Sequence, residues 1–262
     1  MAMILKAVSP GRGAQWVRDG LRLYLKRPLA FTSLFVLFLL VALFITLVPL
    51  IGGVLQVAIL PLLSLGFMVA SQSALLDGPV HARQFIEPLR GTAKSRAALL
   101  MLCGLYGLGV VMTMLLCDLV SDGAFTRAMD LMRQVDPPQA EMQALLADRG
   151  LLTGTLVGTT LLSALSVPFW HAPALVHWGA QSVGQALFSS TLAVWRSRGA
   201  FLVYMLVWFG LVATVGLASA LLFGLLGLGQ LGSMVALPAG LFFSTLFYVS
   251  LIFTFNDSFG NS

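Results

Sequence analysis

Charge is what this chain has least of. Only 10% of its 262 residues are Asp, Glu, Lys or Arg, 58% are hydrophobic, and the mean hydropathy is +0.94. A water-soluble domain carries roughly a quarter charged residues, so lipid must be the solvent here. Cysteine is almost missing as well. Cys103 and Cys117 are the two, and at helical rise they stand ~21 Å apart on one helix, too far to pair; they read as packing residues. No CxxC, HExxH, glycine-rich phosphate loop or Ser–His–Asp order occurs, which removes the usual signatures of metal, nucleotide and hydrolytic sites. Carboxylates are missing inside the apolar stretches, with Asp77 and Asp118 only at their ends. An ion-coupled carrier keeps such a group within the bundle, so this absence argues against a carrier and, with the missing motifs, against an enzyme. Alternation at a period of two is also lacking, which excludes a membrane barrel.

What the chain has is long apolar runs, and about 20 such residues cross a bilayer as a helix. Six runs qualify: Pro28–Leu50, Val54–Leu76, Ala98–Cys117, Leu151 to about Val176, Ala200–Leu222 and Met234–Phe255. The first is too long for a signal-peptide core and no small-residue cleavage site follows it, so it is expected to stay as an anchor. Basic residues cluster before the first run, between the second and third, and between the fourth and fifth. These regions hold 12 of the 15 Lys and Arg and fall on one side of a six-span chain. By the positive-inside rule both termini are expected in the cytoplasm. The net charge of +5 then reflects topology and attraction to anionic lipid headgroups; nothing supports a nucleic-acid partner.

The expected fold is therefore all-α, a polytopic membrane helical bundle forming a single integral membrane domain over 1–262. It divides into an amphipathic cytoplasmic segment (1–27), hairpin 1 (28–76), hairpin 2 (98–176) with an outer loop (118–150), and hairpin 3 (200–255). Each hairpin is preceded by a basic amphipathic elbow. In the first, Arg18, Asp19, Arg22 and Lys26 share one face and Trp16, Val17, Leu21, Leu23 and Tyr24 the other, as in a helix lying at the membrane surface. In the second, Ala82, Phe85, Ile86, Leu89 and Ala93 form an apolar stripe beside Arg83, Arg90 and Lys94. The third, "VWRSRGAFLVY", repeats the aromatic–basic–small–Phe order of "LYLKRPLAF". With prolines at 61, 168, 173 and 238 in the second helices, this suggests three diverged copies related by an axis along the membrane normal. The residues expected at lipid headgroups are Arg18, Arg22, Lys26, Arg27, Arg90, Lys94, Arg96, Arg196 and Arg198. Gly154–Gly158 and the stripe Gly232, Ala236, Gly240 allow close helix approach, within the bundle or between protomers.

The best candidate site is "FWHAPALVHW", Phe169–Trp178, with two of the three histidines. On a straight helix His171 and His177 lie about 120° apart, which does not suit one metal. Pro168 and Pro173 each remove a backbone donor, and a break here would expose carbonyls beside Trp170, His171, Pro173, His177 and Trp178, the candidate ligand-binding residues. The competing reading is an aromatic belt: His171 lies ~30 Å from Leu151 by helical rise, at the headgroup level where tryptophans gather. Met101, Met112 and Met114 with the cysteines could suggest a Cu(I) path, but they spread around the helix as packing residues do.

"GRGAQWVRDGLRLYLKRPLAF", "VPLIGGVLQVAILPLLSLGFMVA", and "FWHAPALVHW" with "VWRSRGAFLVYMLVWFG" resemble a family of uncharacterised inner-membrane proteins found mainly in betaproteobacteria. The resemblance covers nearly the whole chain. It implies a six-helix bacterial inner-membrane protein and supplies no catalytic residues. Three functions stay open. The first is a non-enzymatic protein binding a lipid-soluble ligand or another membrane protein, itself or a homo-oligomer partner included. The second is a facilitated transporter or channel for a small neutral solute, using breaks at Pro61, Pro173 and Pro238. The third is a haem- or metal-binding redox component using His171 and His177. No cofactor or metal is assigned. A greasy centre open to lipid marks the first, and a water-accessible cavity the second.

Overall fold

A computed structural model describes residues 3–49, 51–134, 138–227 and 229–261, with side chains left aside at 3, 229–234 and 261. Leu50 and Asp136 fall outside that description. The elements run β1 (Met3–Leu5), α1 (Arg12–Lys26), α2 (Pro28–Thr46), α3 (Gly52–Ala58), α4 (Leu60–Leu75), α5 (Arg83–Ile86), α6 (Ala93–Val120), α7 (Ala124–Met132), α8 (Gln139–Leu146), α9 (Arg149–Phe169), α10 (Ala172–Gly179), α11 (Val183–Arg196), α12 (Arg198–Leu225), α13 (Gly229–Ser258) and β2 (Phe259–Asn261). Six stretches are long and apolar enough to span a membrane: Pro28–Thr46, Gly52–Leu75, Ala93–Val120, Arg149–Gly179, Arg198–Leu225 and Val235–Ser258. The chain is an all-α polytopic membrane bundle, with β1 and β2 pairing antiparallel (Ile4 with Gly260) to tie its two ends together.

Local chemistry sets the boundaries. Pro28 occupies the first turn of α2, where its missing N–H is not needed. Thr92 caps α6 by accepting from the Ser95 N–H at 3.2 Å, and Asp148 caps α9 by accepting from the Gly150 N–H at 2.7 Å. Ser182 and Gln185 form a capping box on α11. Pro61 sits at the start of α4, so the second span is two helices, α3 and α4. Pro238 behaves differently from the expected break: α13 runs through it as one helix.

The elbows also differ from simple surface helices. The apolar face of α1 is used against protein: Trp16, Val17, Gly20, Leu23 and Tyr24 are buried between α12 and α13, while Arg18, Arg22 and Lys26 stay exposed. The second elbow is only α5 and a 3-10 turn over Glu87–Arg90 containing Pro88, since a proline cannot supply the donor that an α-helix needs there. Its Phe85 points inward, 5.6 Å ring to ring from Phe67 over Gly66, where a Cβ would come within 2.8 Å of the Phe85 ring. The third elbow is α11, packed on α9 and α10. Each elbow thus rests on the hairpin preceding it around the bundle, the first on α12 and α13, the second on α4, the third on α9 and α10.

Gly154 and Gly158 serve contacts inside the chain. A Cβ at Gly158 would lie 2.6 Å from Cys117 Sγ and one at Gly154 2.9 Å from Ser121 Cβ, so both let α9 close on α6. Gly240 has open space where a Cβ would lie, beside a groove between the C-terminal half of α12 and the N-terminal half of α13. The surroundings of Gly232 lie outside the described residues.

Candidate functional site

Helix α9 ends at Phe169, and Trp170–His171 make a turn before α10 starts with Pro173 in its first turn. The break is repaired from a neighbouring helix. Ser190 of α11 donates its hydroxyl hydrogen to the Val167 carbonyl at 3.0 Å and accepts the His171 N–H at 3.0 Å. Its side chain is fully enclosed, and buried backbone groups must find such partners. Ser190 thus bridges the His171 N–H and the Val167 carbonyl, the pair whose direct helical hydrogen bond is opened by the turn.

The His171 imidazole is 0% exposed. Its Nε2 lies 3.1 Å from Thr254 Oγ1. The Thr254 hydroxyl donates to the Leu251 carbonyl at 2.8 Å, so it accepts both from His171 Nε2–H and from Trp170 Nε1–H, the latter at 3.3 Å. This assigns the Nε2–H tautomer from the hydrogen-bond pattern and leaves Nδ1 without a partner among the described residues. Phe201, Phe255 and Phe259 enclose the ring at centroid distances of 5.9, 5.8 and 5.4 Å.

Thr254 belongs to a polar seam on α13 with Ser250, Asp257 and Ser258. Tyr204 donates to Ser250 at 2.6 Å while Ser250 donates to the Phe247 carbonyl at 2.7 Å. Asp257 Oδ2 accepts from Arg12 Nε and from Trp16 Nε1, both at 2.7 Å. The hydrogen bond to Asp257 holds the Arg12 pKa above its ordinary value, against the opposing effect of partial burial. The seam is what fastens α1 to the third hairpin.

The belt reading does not describe His171. The fourth span does not stop there: after the turn, α10 re-enters the bundle, and Ala172, Pro173, Ala174, Leu175 and Val176 are all buried. The span runs on to Gly179, close to the end expected near Val176. His177 and Trp178 are half-buried; His177 faces Trp178 at 5.6 Å and Trp178 faces Phe255 at 5.2 Å. The two histidines are not brought onto a shared partner but are linked only through Trp178 and Phe255. Among the described residues no group of three or more His, Cys, Asp or Glu is placed to hold a metal.

Trp170 also borders a cavity of about 170 Å³. Its walls come from four spans: Pro61 and Ser64 of α4, Tyr106 of α6, Ser166 and Phe169 of α9, and Phe247, Tyr248 and Leu251 of α13. No charged side chain lines it. Ser64, Tyr106, Ser166, Phe169 and Tyr248 are only half-buried, so the cavity is open at the bundle's surface. By helical rise Tyr106 lies ~20 Å from both ends of Ala93–Val120, and Tyr248 ~15 Å from the Ser258 end of α13. Both side chains thus stand within their spans, away from the helix ends. Pro61 and Trp170 were legible in the sequence as a break and a break-adjacent aromatic. Ser64, Tyr106, Ser166 and Tyr248 were not, because nothing in spacing alone brings four spans to one point. Ser190 and Thr254 were missed for the same reason, although the Ser250–Thr254–Asp257–Ser258 periodicity was visible.

Of the expected headgroup residues, Arg18, Arg22, Lys26, Arg90, Lys94, Arg96, Arg196 and Arg198 are exposed. Arg198 sits 5.5 Å over the Trp195 ring, and Phe188, Leu192 and Trp195 form an exposed apolar stripe on α11, the pattern of a helix resting in the lipid interface. Arg27 is turned instead to protein, donating to the Gly78 carbonyl and, at 3.0 Å, to that of Asp77, where it closes the loop after α4.

Fold and site together define a multi-pass membrane protein with an uncharged centre. The chain is 31% identical over 259 residues to a protein of Burkholderia thailandensis named a probable inner membrane protein, covering 98% of this chain and 94% of that one. It belongs to that protein's family and is an integral, multi-pass inner-membrane protein. No family model matches the chain, and no solved structure matches it.

Proposed function

We propose that this protein is a non-enzymatic component of the inner membrane, with both termini in the cytoplasm, that binds a lipid-soluble ligand in the mid-bilayer cavity beside Trp170. The observation that carries this reading is the cavity's combination of depth and chemistry. It lies where only hydrocarbon-soluble molecules arrive, opens at the bundle's surface, and is lined by apolar and aromatic side chains with a few hydroxyls, the usual make-up of a small-molecule site. A path for a water-soluble solute would need a hydrated lining, and this one carries no charge. The basic elbows then hold the bundle against anionic headgroups, and the open groove between the outer halves of α12 and α13 is where a second membrane protein or copy would sit.

The test is filling the cavity. Wild-type protein and a Ser166→Phe variant are extracted in mild detergent and analysed by native mass spectrometry. The wild type is expected to carry a neutral lipid-soluble adduct that Ser166→Phe loses while its phospholipid adducts stay unchanged. An adduct pattern identical in both proteins would contradict the reading.

A further inference from the structure

We infer that the part of the ligand recognised in this cavity is a flat, neutral ring bearing hydrogen-bond acceptor oxygens, a quinone-type headgroup, held by the hydroxyls of Tyr106 and Tyr248. This rests on the proposed function and names the ligand class. Size comes first. An engineered 150 Å³ apolar cavity holds one benzene, so about 170 Å³ takes a single six-membered ring with small substituents. The rest of the ligand must leave through the open side, at a depth where the surroundings are acyl chains; a long hydrocarbon tail suits that position. A phospholipid does not fit, because its charged phosphate would stand in the hydrocarbon centre with no cation to meet it.

The polar groups fix the chemistry of the ring. Ser64 donates its hydroxyl hydrogen to the Pro61 carbonyl at 2.9 Å and Ser166 to the Ser163 carbonyl at 2.7 Å, so both are committed as donors to their own helices. Trp170 Nε1–H is committed to Thr254, leaving its indole face to the cavity. Tyr106 and Tyr248 are different: neither hydroxyl donates to a partner among the described residues, and neither is among the fully enclosed polar atoms lacking one. The cavity therefore offers two uncommitted O–H donors, one from α6 and one from α13, beside the aromatic side chains of Phe169, Trp170 and Phe247. A ring bearing two carbonyl oxygens would satisfy both, and a pure hydrocarbon would leave both unused. Binding alone is inferred, with no electron transfer assigned.

The experiment uses the full chain in phosphatidylcholine nanodiscs, titrated with a dimethoxy-methyl-benzoquinone carrying one prenyl unit. The readout is the saturable quenching of tryptophan fluorescence, to which Trp170 at the cavity wall contributes. Wild-type protein is expected to bind saturably. Tyr106→Phe/Tyr248→Phe should raise the Kd roughly tenfold to a hundredfold, the loss of two hydrogen bonds of ordinary strength, with each single variant intermediate. Ser166→Phe, or Ser166→Leu should the larger side chain fail to fold, should abolish the saturable phase. If the serine variant abolishes binding but the tyrosine variants leave Kd unchanged, the tyrosine assignment is overturned and the cavity reading stands. Saturable quenching that survives in the serine variant overturns the cavity reading itself. No saturable phase in the wild type overturns the quinone class.

Discussion

Gly13→Val is expected to detach the N-terminal helix from the bundle. At Gly13 a Cβ would lie 2.7 Å from the Tyr204 backbone nitrogen and closer still to the Ala200 carbonyl oxygen. Both obstacles are α12 backbone, which cannot swing aside as a side chain would. Overpacking of this kind costs about 1–3 kcal/mol or more. Here the helix has a second outcome, which is to lift away and lose the burial of Trp16, whose ring is 0% exposed and packs 5.2 Å from Phe201. Releasing a buried tryptophan adds about 3–5 kcal/mol. The measurement is limited proteolysis in detergent, with thermal unfolding beside it. Gly13→Val should expose cleavage sites within residues 12–26 and lower the Tm sharply. Gly11→Ala, where nothing lies within 4 Å, should behave as wild type. A Gly13→Val protein that resists protease like the parent would show that α1 does not dock as described.

The second large effect is expected at His171, and its sign depends on what replaces the ring. His171→Ala empties a fully enclosed site among Phe201, Phe255 and Phe259, a loss of about 2–4 kcal/mol by analogy with other buried large-to-small changes. His171→Phe keeps most of the volume. It gives up one hydrogen bond to Thr254, about 1 kcal/mol, and removes the imidazole nitrogen that has no partner. The repair of the helix break by Ser190 survives in both, because it uses the backbone N–H. Thermal unfolding should therefore rank wild type and His171→Phe close together and His171→Ala well below. If phenylalanine were as damaging as alanine, His171 would be needed as an imidazole rather than as a packed ring.

What the sequence made legible was whatever depends on composition and local period. The scarcity of charge and the six apolar runs define the class of protein. Pro28, Thr92 and Asp148 mark helix starts because their chemistry acts within one turn. Where α1 would lie was not legible: its apolar stripe suits a membrane surface as well as a protein groove, and only Gly13, Gly20 and Asp257, read together across the chain, distinguish the two. The segment around His171 was found as unusual but its enclosure by protein was not foreseen, since a count along one straight helix cannot anticipate a turn followed by the buried α10. The cavity was least legible. Tyr106 and Tyr248 are two of four tyrosines in the chain, 142 residues apart by number, and what brings them to one cavity is the packing of four spans at breaks that are only partly written in the prolines.

The measurement that bears most directly on this account is which phase reaches the cavity. A single cysteine at position 166, introduced as Ser166→Cys in a chain carrying Cys103→Ala and Cys117→Ala, would take a nitroxide label in lipid nanodiscs. Its collisions with oxygen, which dissolves in hydrocarbon, would be compared with those of a water-soluble nickel chelate. The account predicts strong oxygen collisions, almost none with nickel, and a depth near the bilayer centre. Free nickel access to the label would mean a water-filled cavity, and would turn the protein from a binder of lipid-soluble molecules into a conduit for soluble ones.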